Sequence, residues 1–456
     1  MIKIKIIYFI QIISSLSLIV PSPIELRGIV EGFYGTPWTF EDRADLIKFS
    51  GKNKLNAYIY APKDDSYHRE KWREPYPEDK IKELKDLISI SKENKVKFIF
   101  AVSPGIDLNY NGEKGEEDFN YLMIKLNAIY EIGGRDFAIF FDDIKADENS
   151  GKNHAKFLNK LFEELNSKYP DINSLTTVPT QYWVTSMLDG DGKIKQYTKD
   201  FSTILNEKII VLYTGDEVVC DGISDESFQK AIEIYNRDLG IWWNYPVNDF
   251  LPAKLALGPI EKLPTSNVKS IFFNPMQQVQ LSKIALATGA EYSYSPKTYD
   301  ANKSWNKVIE DQFEDNAEAM KIFANHSKHM ENSWANAGPQ DAPEFYEEAH
   351  QAILSTKAKK NFDFSKLIML IEEMDKSADI LLNNLESNIL SECKLQLEQF
   401  KRIINADKVA VKSLQNRKLD PDLKDLRKSI DKYEEKAILS EKSAVKFIDE
   451  VLDLLQ

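Results

Sequence analysis

Short apolar runs recur between residues 28 and 273, and polar stretches of helical length, for example 78–94 and 154–168, separate most of them. The runs are rich in β-branched and aromatic side chains, which predicts buried β-strands. Strands that alternate with helices are typical of a parallel sheet, and eight such units in roughly 270 residues match a (β/α)8 (TIM) barrel. The runs are 28–30, 55–60, 97–102, 137–141, 174–178, 209–213, 239–243 and 269–273.

The pattern changes after about residue 300. Glycine is absent beyond Gly338, and apolar residues recur at the helical spacing i, i+3, i+4, i+7 over 367–385 and again over 397–414. Breaks near Asn361 and at 419–421 divide the region into long helices, which predicts an all-α helical bundle. This bundle would serve as a dimerisation module, as a module that flanks the substrate, or simply as a packed domain that adds stability.

The first residues resemble a secretory signal, because Lys3 and Lys5 precede an apolar stretch from Ile6 to Val20. No Ala-x-Ala cleavage site follows, so an uncleaved membrane anchor is the alternative, although the stretch is short for a full span. We therefore expect a secreted or cell-surface protein that contacts a membrane only through this segment. The predicted divisions are a signal or anchor at 1–24, a barrel at 25–300 and a helical domain at 301–456.

Composition narrows the classes of partner and cofactor. The net charge is −13 and no dense basic patch is present, which argues against nucleic acid as a partner. Two distant cysteines, Cys220 and Cys393, exclude a disulfide framework and are expected to be free buried thiols. The five histidines show no metal-ligand grouping with cysteine, and we interpret His326 and His329 as a solvated pair rather than a metal site.

Polar clusters punctuated by Gly or Pro follow seven of the eight predicted strands. In a barrel the carboxyl ends of all the strands meet at one face, and that face carries the active site. We therefore expect these clusters to form one site. They lie at 31–35, 61–65, 142–143, 179–182, 214–216, 244–249 and 274–275.

Asp142 and Asp143 are adjacent carboxylates at the end of the apolar run 137–141. Like charges at contact distance raise one pKa and leave the other low, which gives one proton donor and one anion. We assign Asp143 as the general acid, with its pKa raised by the charge of Asp142. The alternative is that one of the two merely caps a helix or a turn.

The adjacency of the two carboxylates also limits the reaction. Successive strand residues point to opposite faces, so Asp142 and Asp143 converge only where the backbone turns, and such neighbours do not easily bracket a sugar at the separation an inverting glycosidase needs. Substrate assistance fits better: the 2-acetamido oxygen of the sugar attacks its own anomeric carbon while Asp142 accepts a hydrogen bond from the acetamido N–H. The substrate is then an N-acetylated hexosamine.

Other strand-end side chains suit the remaining groups of such a sugar. Charged and amide side chains bind hydroxyls well, and aromatic ones can meet the acetamido group. Of the adjacent Trp242 and Trp243, one is expected in the core. The candidates are Lys63, Asp249, Asn244 and Asn274 for hydroxyls, and Tyr182 and Trp242 for the acetamido group.

Four long motifs resemble glycoside hydrolase family 84, the β-N-acetylglucosaminidases called O-GlcNAcases, whose bacterial members include proteins once described as hyaluronidases. They are RGIVEGFYGTPW at 27–38, YIYAPKDD at 58–65, FFDDI at 140–144 and WWNYPVND at 242–249. The resemblance extends over about residues 27–306 and continues through 323–327. It implies a (β/α)8 barrel and retaining, substrate-assisted hydrolysis of terminal β-linked GlcNAc on glycoproteins or glycans, through an oxazoline and without a metal or cofactor.

The resemblance also implies roles for individual residues. Asp142 polarises the acetamido group and Asp143 is the acid/base. Gly32 (through its backbone), Lys63, Asn244, Asp249 and Asn274 bind the sugar, and Tyr182, Thr214 and Trp242 line the acetamido pocket.

The chain departs from the family at Gln181, Tyr213 and Asp216, where Glu, Trp and Pro are usual, and these departures bear on rate and specificity. Two other functions stay open: an endo-hyaluronidase, and a non-catalytic GlcNAc-binding protein on the same scaffold. The acidic net charge weighs against the first, and retention of both Asp142 and Asp143 weighs against the second. A homodimer is a further expectation.

Overall fold

The computed structural model describes residues 22–330 and 341–456. Eight parallel strands pair in chain order and close into a barrel. Each predicted strand is confirmed, with ends that shift by two residues at most. The strands are β1 Leu26–Glu31, β2 Ala57–Tyr60, β3 Lys97–Val102, β4 Asp136–Phe140, β5 Ser174–Val178, β6 Ile210–Tyr213, β7 Gly240–Trp243 and β8 Ser270–Phe273.

Helices follow the strands and cover the barrel. The first begins with a capping box in which Thr39 and Asp42 each accept a hydrogen bond from the other's backbone N–H, both at 3.1 Å. The two helical stretches predicted at 78–94 and 154–168 are confirmed as α2 and α4. The helices are α1 Phe40–Lys52, α2 Glu78–Glu93, α3 Gly112–Glu131, α4 Ser150–Lys168, α5 Val184–Met187, α6 Gln196–Ile204, α7 Asp225–Tyr235 and α8 Val279–Tyr294.

Alternate residues of each strand pack into different cores. Phe140 and Trp242 belong to the cluster inside the barrel, whereas Ile139 and Trp243 belong to the cluster between strands and helices. The expectation that one of the two adjacent tryptophans is a core residue is thus confirmed for Trp243.

Glu31 belongs to the first predicted polar cluster, 31–35, but it does not line the cleft where the other clusters meet. Its carboxylate accepts two 2.8 Å hydrogen bonds from the Arg43 guanidinium of α1, so this fully buried side chain lies in the outer layer.

The region after the barrel is helical, as predicted. The breaks expected near Asn361 and at 419–421 are confirmed, but further breaks at Leu385 and at 432–443 were not predicted, because neither carries Gly or Pro. The helices are α9 Ala301–Phe313, α10 Ala317–Asn325, α11 Pro343–Lys357, α12 Ser365–Asn384, α13 Ser387–Asn416, α14 Asp422–Asp431 and α15 Ala444–Leu455, with a 3-10 turn at Glu314–Asn316.

The helical region and the barrel share one hydrophobic core. Leu257, Met276 and Leu281 of the barrel belong to the same buried cluster as Phe323 and Phe400 of the helices. The predicted boundary at residue 300 stays a prediction, and the core itself extends across it.

A carboxylate of the helical region caps a barrel helix. Helix α8 has no side-chain cap of its own, and Glu392 of α13 accepts hydrogen bonds from the backbone N–H groups of Gln280 at 3.0 Å and Leu281 at 2.9 Å. Burial raises the pKa of Glu392 to about 7, and the nearby Asp42 acts in the same direction. This contact links the helical region to the barrel.

The interpretation of the two histidines is wrong for His326. This side chain is 3% exposed, and its Nδ1 lies 2.7 Å from the Ser440 hydroxyl, because helices pack around it on all sides. His329 contacts the Asp341 carboxylate at 2.6 Å. Both cysteines are free thiols, as expected, but only Cys393 is buried, and Cys220 is partly exposed.

The predicted signal or anchor falls mostly outside the described residues, which begin at residue 22, and stays a prediction. Within 22–330 and 341–456, none of the helices has the length and hydropathy needed to cross a bilayer.

We predict that Glu392→Gln gains stability relative to the wild type as the pH rises. The folded-state pKa of Glu392 lies above the ordinary value of 4.5, so the wild type loses stability as the pH rises from about 4.5 through about 7. Glutamine resembles the protonated acid and removes this loss. Urea unfolding should show an advantage of about 2 kcal/mol at pH 8 that is absent at pH 4.5.

The exposed Glu373→Gln on α12 is the control, and it should change stability equally at both pH values. An advantage for Glu392→Gln that does not vary with pH would contradict the prediction.

Candidate active site

A cleft of about 330 Å³ opens at the carboxyl ends of the strands. All ten predicted site residues line it: Gly32, Lys63, Asp142, Asp143, Tyr182, Thr214, Trp242, Asn244, Asp249 and Asn274. Six further residues line the same cleft: Tyr34, Val178, Val218, Val219, Val247 and Phe250. The expectation that separate strand-end clusters form one site is thus confirmed, while the role of each residue stays a prediction.

Asp142 lies at the base of the cleft, directly after β4, and is 8% exposed. Its Oδ2 forms an ion pair with the Nζ of Lys63, which is also buried. Its Oδ1 has no hydrogen-bond partner among the described residues. Since a buried carboxylate oxygen without a donor is costly, this atom is suited to accept a hydrogen bond from a bound ligand.

Asp143 lies at the solvent-exposed mouth of the cleft, where the chain turns away from β4. Its φ of +55° is in the left-handed region, and this turn lets two consecutive carboxylates reach one site. The Tyr34 hydroxyl donates to Oδ2 at 2.7 Å and the Tyr182 hydroxyl donates to Oδ1 at 2.9 Å. Both oxygens are therefore occupied by donors that favour the ionised carboxylate.

The expected raised pKa of Asp143 is wrong for the free site. Burial by itself would raise the pKa of Asp143, but the positive charge of Lys63 and the hydroxyls of Tyr34 and Tyr182 outweigh burial and hold the pKa below its ordinary value. The expectation of a raised pKa included the charge of Asp142 but left out Lys63, which pairs with Asp142.

A chain of hydrogen bonds orients the opposite wall. Trp242 Nε1 and Asn274 Nδ2 donate to Asn244 Oδ1 at 2.8 Å and 2.9 Å, and Asn244 Nδ2 donates to the Val218 carbonyl at 2.8 Å. The backbone N–H of Gly32 donates to Asn274 Oδ1 at 3.3 Å. The amide groups that directly follow β7, β8 and β1 are thus fixed relative to one another.

Asp249 and Thr214 complete the lining. Asp249 Oδ2 accepts the backbone N–H of Tyr34 at 2.8 Å, and burial raises the pKa of Asp249. The Thr214 hydroxyl donates to the Glu217 carbonyl at 2.8 Å within the loop that also carries Val218 and Val219. This loop gives the cleft its apolar side, which suits a methyl group.

A second layer holds the end of β4. Thr180 Oγ1 donates to the Phe141 carbonyl at 2.7 Å, and the Thr180 N–H donates to the Tyr197 hydroxyl at 2.9 Å. His154 stacks on Phe141 with ring centroids 4.0 Å apart, and burial lowers its pKa to about 3, so the ring is neutral near pH 7. These contacts fix the residue that precedes Asp142.

The three departures from the family do not line the cleft. Gln181 Oε1 accepts the Thr198 hydroxyl at 2.7 Å, Tyr213 is buried against Phe228, and Asp216 is exposed. Tyr213 ends β6 and faces away from the cleft that its neighbour Thr214 lines, because successive strand residues face opposite sides. Gln181 is the neighbour of the lining residue Tyr182.

Comparison with known proteins identifies the family. The model of a family described as beta-N-acetylglucosaminidase matches residues 27–325, which is more than half of the chain. The chain belongs to the β-N-acetylglucosaminidase family. A second model, described as hyaluronidase post-catalytic domain-like, matches residues 347–448.

Relatives of this β-N-acetylglucosaminidase differ in how much of their own length the chain covers. Protein O-GlcNAcase from Rattus norvegicus and from Mus musculus are each 33% identical over 275 residues, which is 59% of this chain but only 30% of theirs. The solved structure of CpGH84B superposes with a TM-score of 0.88 at 38% identity and covers 94% of this chain and 77% of its own. A mutant of the Thermobaculum terrenum O-GlcNAc hydrolase gives 0.81 at 27% identity and covers 94% of both chains.

Two side chains near Asp143, Tyr34 and Arg69, were not among the predicted site residues of this family member. Tyr34 lies within the quoted motif at 27–38, but only the backbone of Gly32 was assigned there. Arg69, whose Nη1 donates to the Tyr34 hydroxyl at 3.0 Å, lies in none of the strand-end clusters. The tyrosine motif was the available signal, whereas Arg69 gave none.

We predict that Gly32→Ala weakens binding of N-acetylglucosamine. A Cβ at this position would lie 2.2 Å from Cζ2 of the Trp242 indole, so the indole must move and its hydrogen bond to Asn244 must change. We expect an affinity loss of roughly tenfold, measured by calorimetry.

The matched control is Gly190→Ala, whose added Cβ would meet nothing within 4 Å. It should bind as the wild type does. Unchanged affinity in Gly32→Ala would contradict the geometry of the wall.

Proposed function

We propose that the protein is a retaining exo-β-N-acetylglucosaminidase that removes terminal β-linked GlcNAc from glycoproteins and glycans by substrate-assisted catalysis. The observation that carries the proposal is the buried Oδ1 of Asp142, which has no partner among the described residues and lies in the same cleft as Asp143. A 2-acetamido N–H is a donor that this atom lacks.

In the first step the acetamido N–H donates to Asp142, which increases the nucleophilicity of the acetamido oxygen. This oxygen forms a bond to the anomeric carbon as the bond to the leaving oxygen breaks, and Asp143 gives its proton to the leaving oxygen. In the second step Asp143 takes a proton from water, which attacks the anomeric carbon and opens the oxazoline. Two inversions retain the β configuration.

The acid must first acquire a proton, which the free site disfavours. Entry of the leaving-group oxygen next to Asp143 displaces a tyrosine hydroxyl, and sugar hydroxyls take up part of the charge of Lys63. Each change removes stabilisation from the carboxylate, so the bound substrate itself raises the pKa of Asp143 toward the range a general acid needs.

The substrate class rests on the size and charge of the cleft and on its relatives. The cleft has the volume of a small-molecule site, which fits a single terminal sugar better than an internal one. The net charge of −13 repels the polyanion hyaluronan. The names of the rodent and Thermobaculum relatives support O-GlcNAc-modified proteins as candidate substrates.

We predict that Asp143→Asn and Asp142→Asn differ in their dependence on the leaving group. Asp143→Asn should lower kcat/KM for an alkyl β-GlcNAc glycoside by roughly 10²–10⁴-fold and spare an activated aryl glycoside, which needs no protonation. Asp142→Asn should lower both, because the attack of the acetamido group is itself weakened.

Glu148→Gln, which removes an exposed acid from the same segment, is the control and should retain full activity. Equal losses for both glycosides in Asp143→Asn would contradict the acid assignment. Rates that do not respond to fluorination of the acetamido group would exclude the oxazoline. Binding of GlcNAc without turnover by the wild type would favour a lectin, and depolymerised hyaluronan would favour the endo-hyaluronidase.

A further inference from the structure

Arg69 contacts the outer side of the acid without touching it. Its Nη1 donates to the Tyr34 hydroxyl at 3.0 Å, and its guanidinium carbon lies 5.5 Å from the centre of the Tyr34 ring. The Tyr34 hydroxyl in turn donates to Asp143 Oδ2 at 2.7 Å. The three side chains form a continuous line from the rim of the cleft to the carboxylate.

The direction of these bonds is fixed by chemistry. A guanidinium only donates, and a tyrosine hydroxyl has a single proton, so the Tyr34 hydroxyl accepts a hydrogen bond from Arg69 and donates one to Asp143. A charged donor on the phenol oxygen polarises its O–H bond and strengthens the bond to the carboxylate. Since Tyr34 is 39% exposed, its ring depends on the stacked guanidinium for a fixed orientation.

We propose that Arg69 is a positioning residue that acts through Tyr34: it holds the tyrosine hydroxyl on Asp143 between turnovers and keeps Tyr34 beside the site when a leaving-group oxygen takes that hydroxyl's place. Arg69 thus stabilises the ionised form of Asp143, which the second chemical step uses as a base. This inference rests on the proposed function and adds a residue outside the cleft lining to it.

Other charged and titratable groups also face Asp143 and Tyr34. They remain in place in every variant below, so a difference between variants isolates Arg69. These groups are Lys63, Asp142, Tyr182 and Asp249.

The test is the pH dependence of kcat/KM for an alkyl β-GlcNAc glycoside, whose basic limb follows deprotonation of Asp143 in the free enzyme. Arg69→Met should move that limb upward by roughly half a pH unit, because a cation and a polarised donor no longer favour the carboxylate. Arg69→Lys, which keeps the positive charge, should move the limb less than Arg69→Met does. Lys71→Met removes an equal charge from the same loop and should leave the limb unchanged, since Lys71 is exposed and contacts Tyr67 instead.

A double-mutant cycle decides whether the effect passes through the tyrosine. Tyr34→Phe should shift the limb upward by itself, and adding Arg69→Met to it should shift the limb no further. The same additional shift in the Tyr34→Phe background, or an equal shift in Lys71→Met, would overturn the proposal. Circular-dichroism melting curves identify any variant that fails to fold. Arg69→Lys replaces Arg69→Met in the cycle if the methionine variant does not fold.

Failure of the positioning role can be distinguished from failure of the proposed function. If the wild type binds GlcNAc without turnover, the proposed function fails, and the protons taken up on GlcNAc binding, measured by calorimetry in two buffers, report the Asp143 titration in the same variants. Turnover without coupling between Arg69 and Tyr34 would overturn only the positioning role.

Discussion

The ion pair between Lys63 and Asp142 is the interaction on which the site depends. Two buried charges are tolerated only in fixed geometry, and the barrel provides it by carrying them on strand ends that are separated by one intervening strand, β3. The pair satisfies one oxygen of Asp142 and leaves the other free for a ligand. The charge of Lys63 also helps to hold the pKa of Asp143 below its ordinary value, which favours the ionised carboxylate.

The different surroundings of Asp142 and Asp143 follow from a single backbone turn. Asp142 continues the strand into the closed base of the cleft, whereas Asp143, with a positive φ, turns to the mouth. The buried residue meets a lysine, and the exposed one meets two tyrosine hydroxyls. Adjacent residues of one chemical type thereby acquire different partners, although nothing in their own side chains distinguishes them.

Much of the fold could be predicted because its signals are local. Strand period, strand composition and the count of units identify the barrel, and the barrel rule places all ten candidate residues at one face. What failed depends on contacts that sequence does not show. The pKa of Asp143 depends on Lys63, 80 positions earlier, and the burial of His326 depends on Ser440, 114 positions later. The break at Leu385 carries no Gly or Pro signal at all.

The barrel does not complete its own sugar site. The segment from Asn274 to Leu281 holds the amide wall at one end and begins α8 at the other, and Met276 between them packs in the core of the helical region. Glu392 supplies the cap that α8 lacks. Without α13 this segment would lose its cap, so the start of α8, shortly after Asn274, is held by a residue more than 100 positions away in sequence. The helical region therefore helps to shape the cleft, even though none of its described residues, 301–330 and 341–456, lines it.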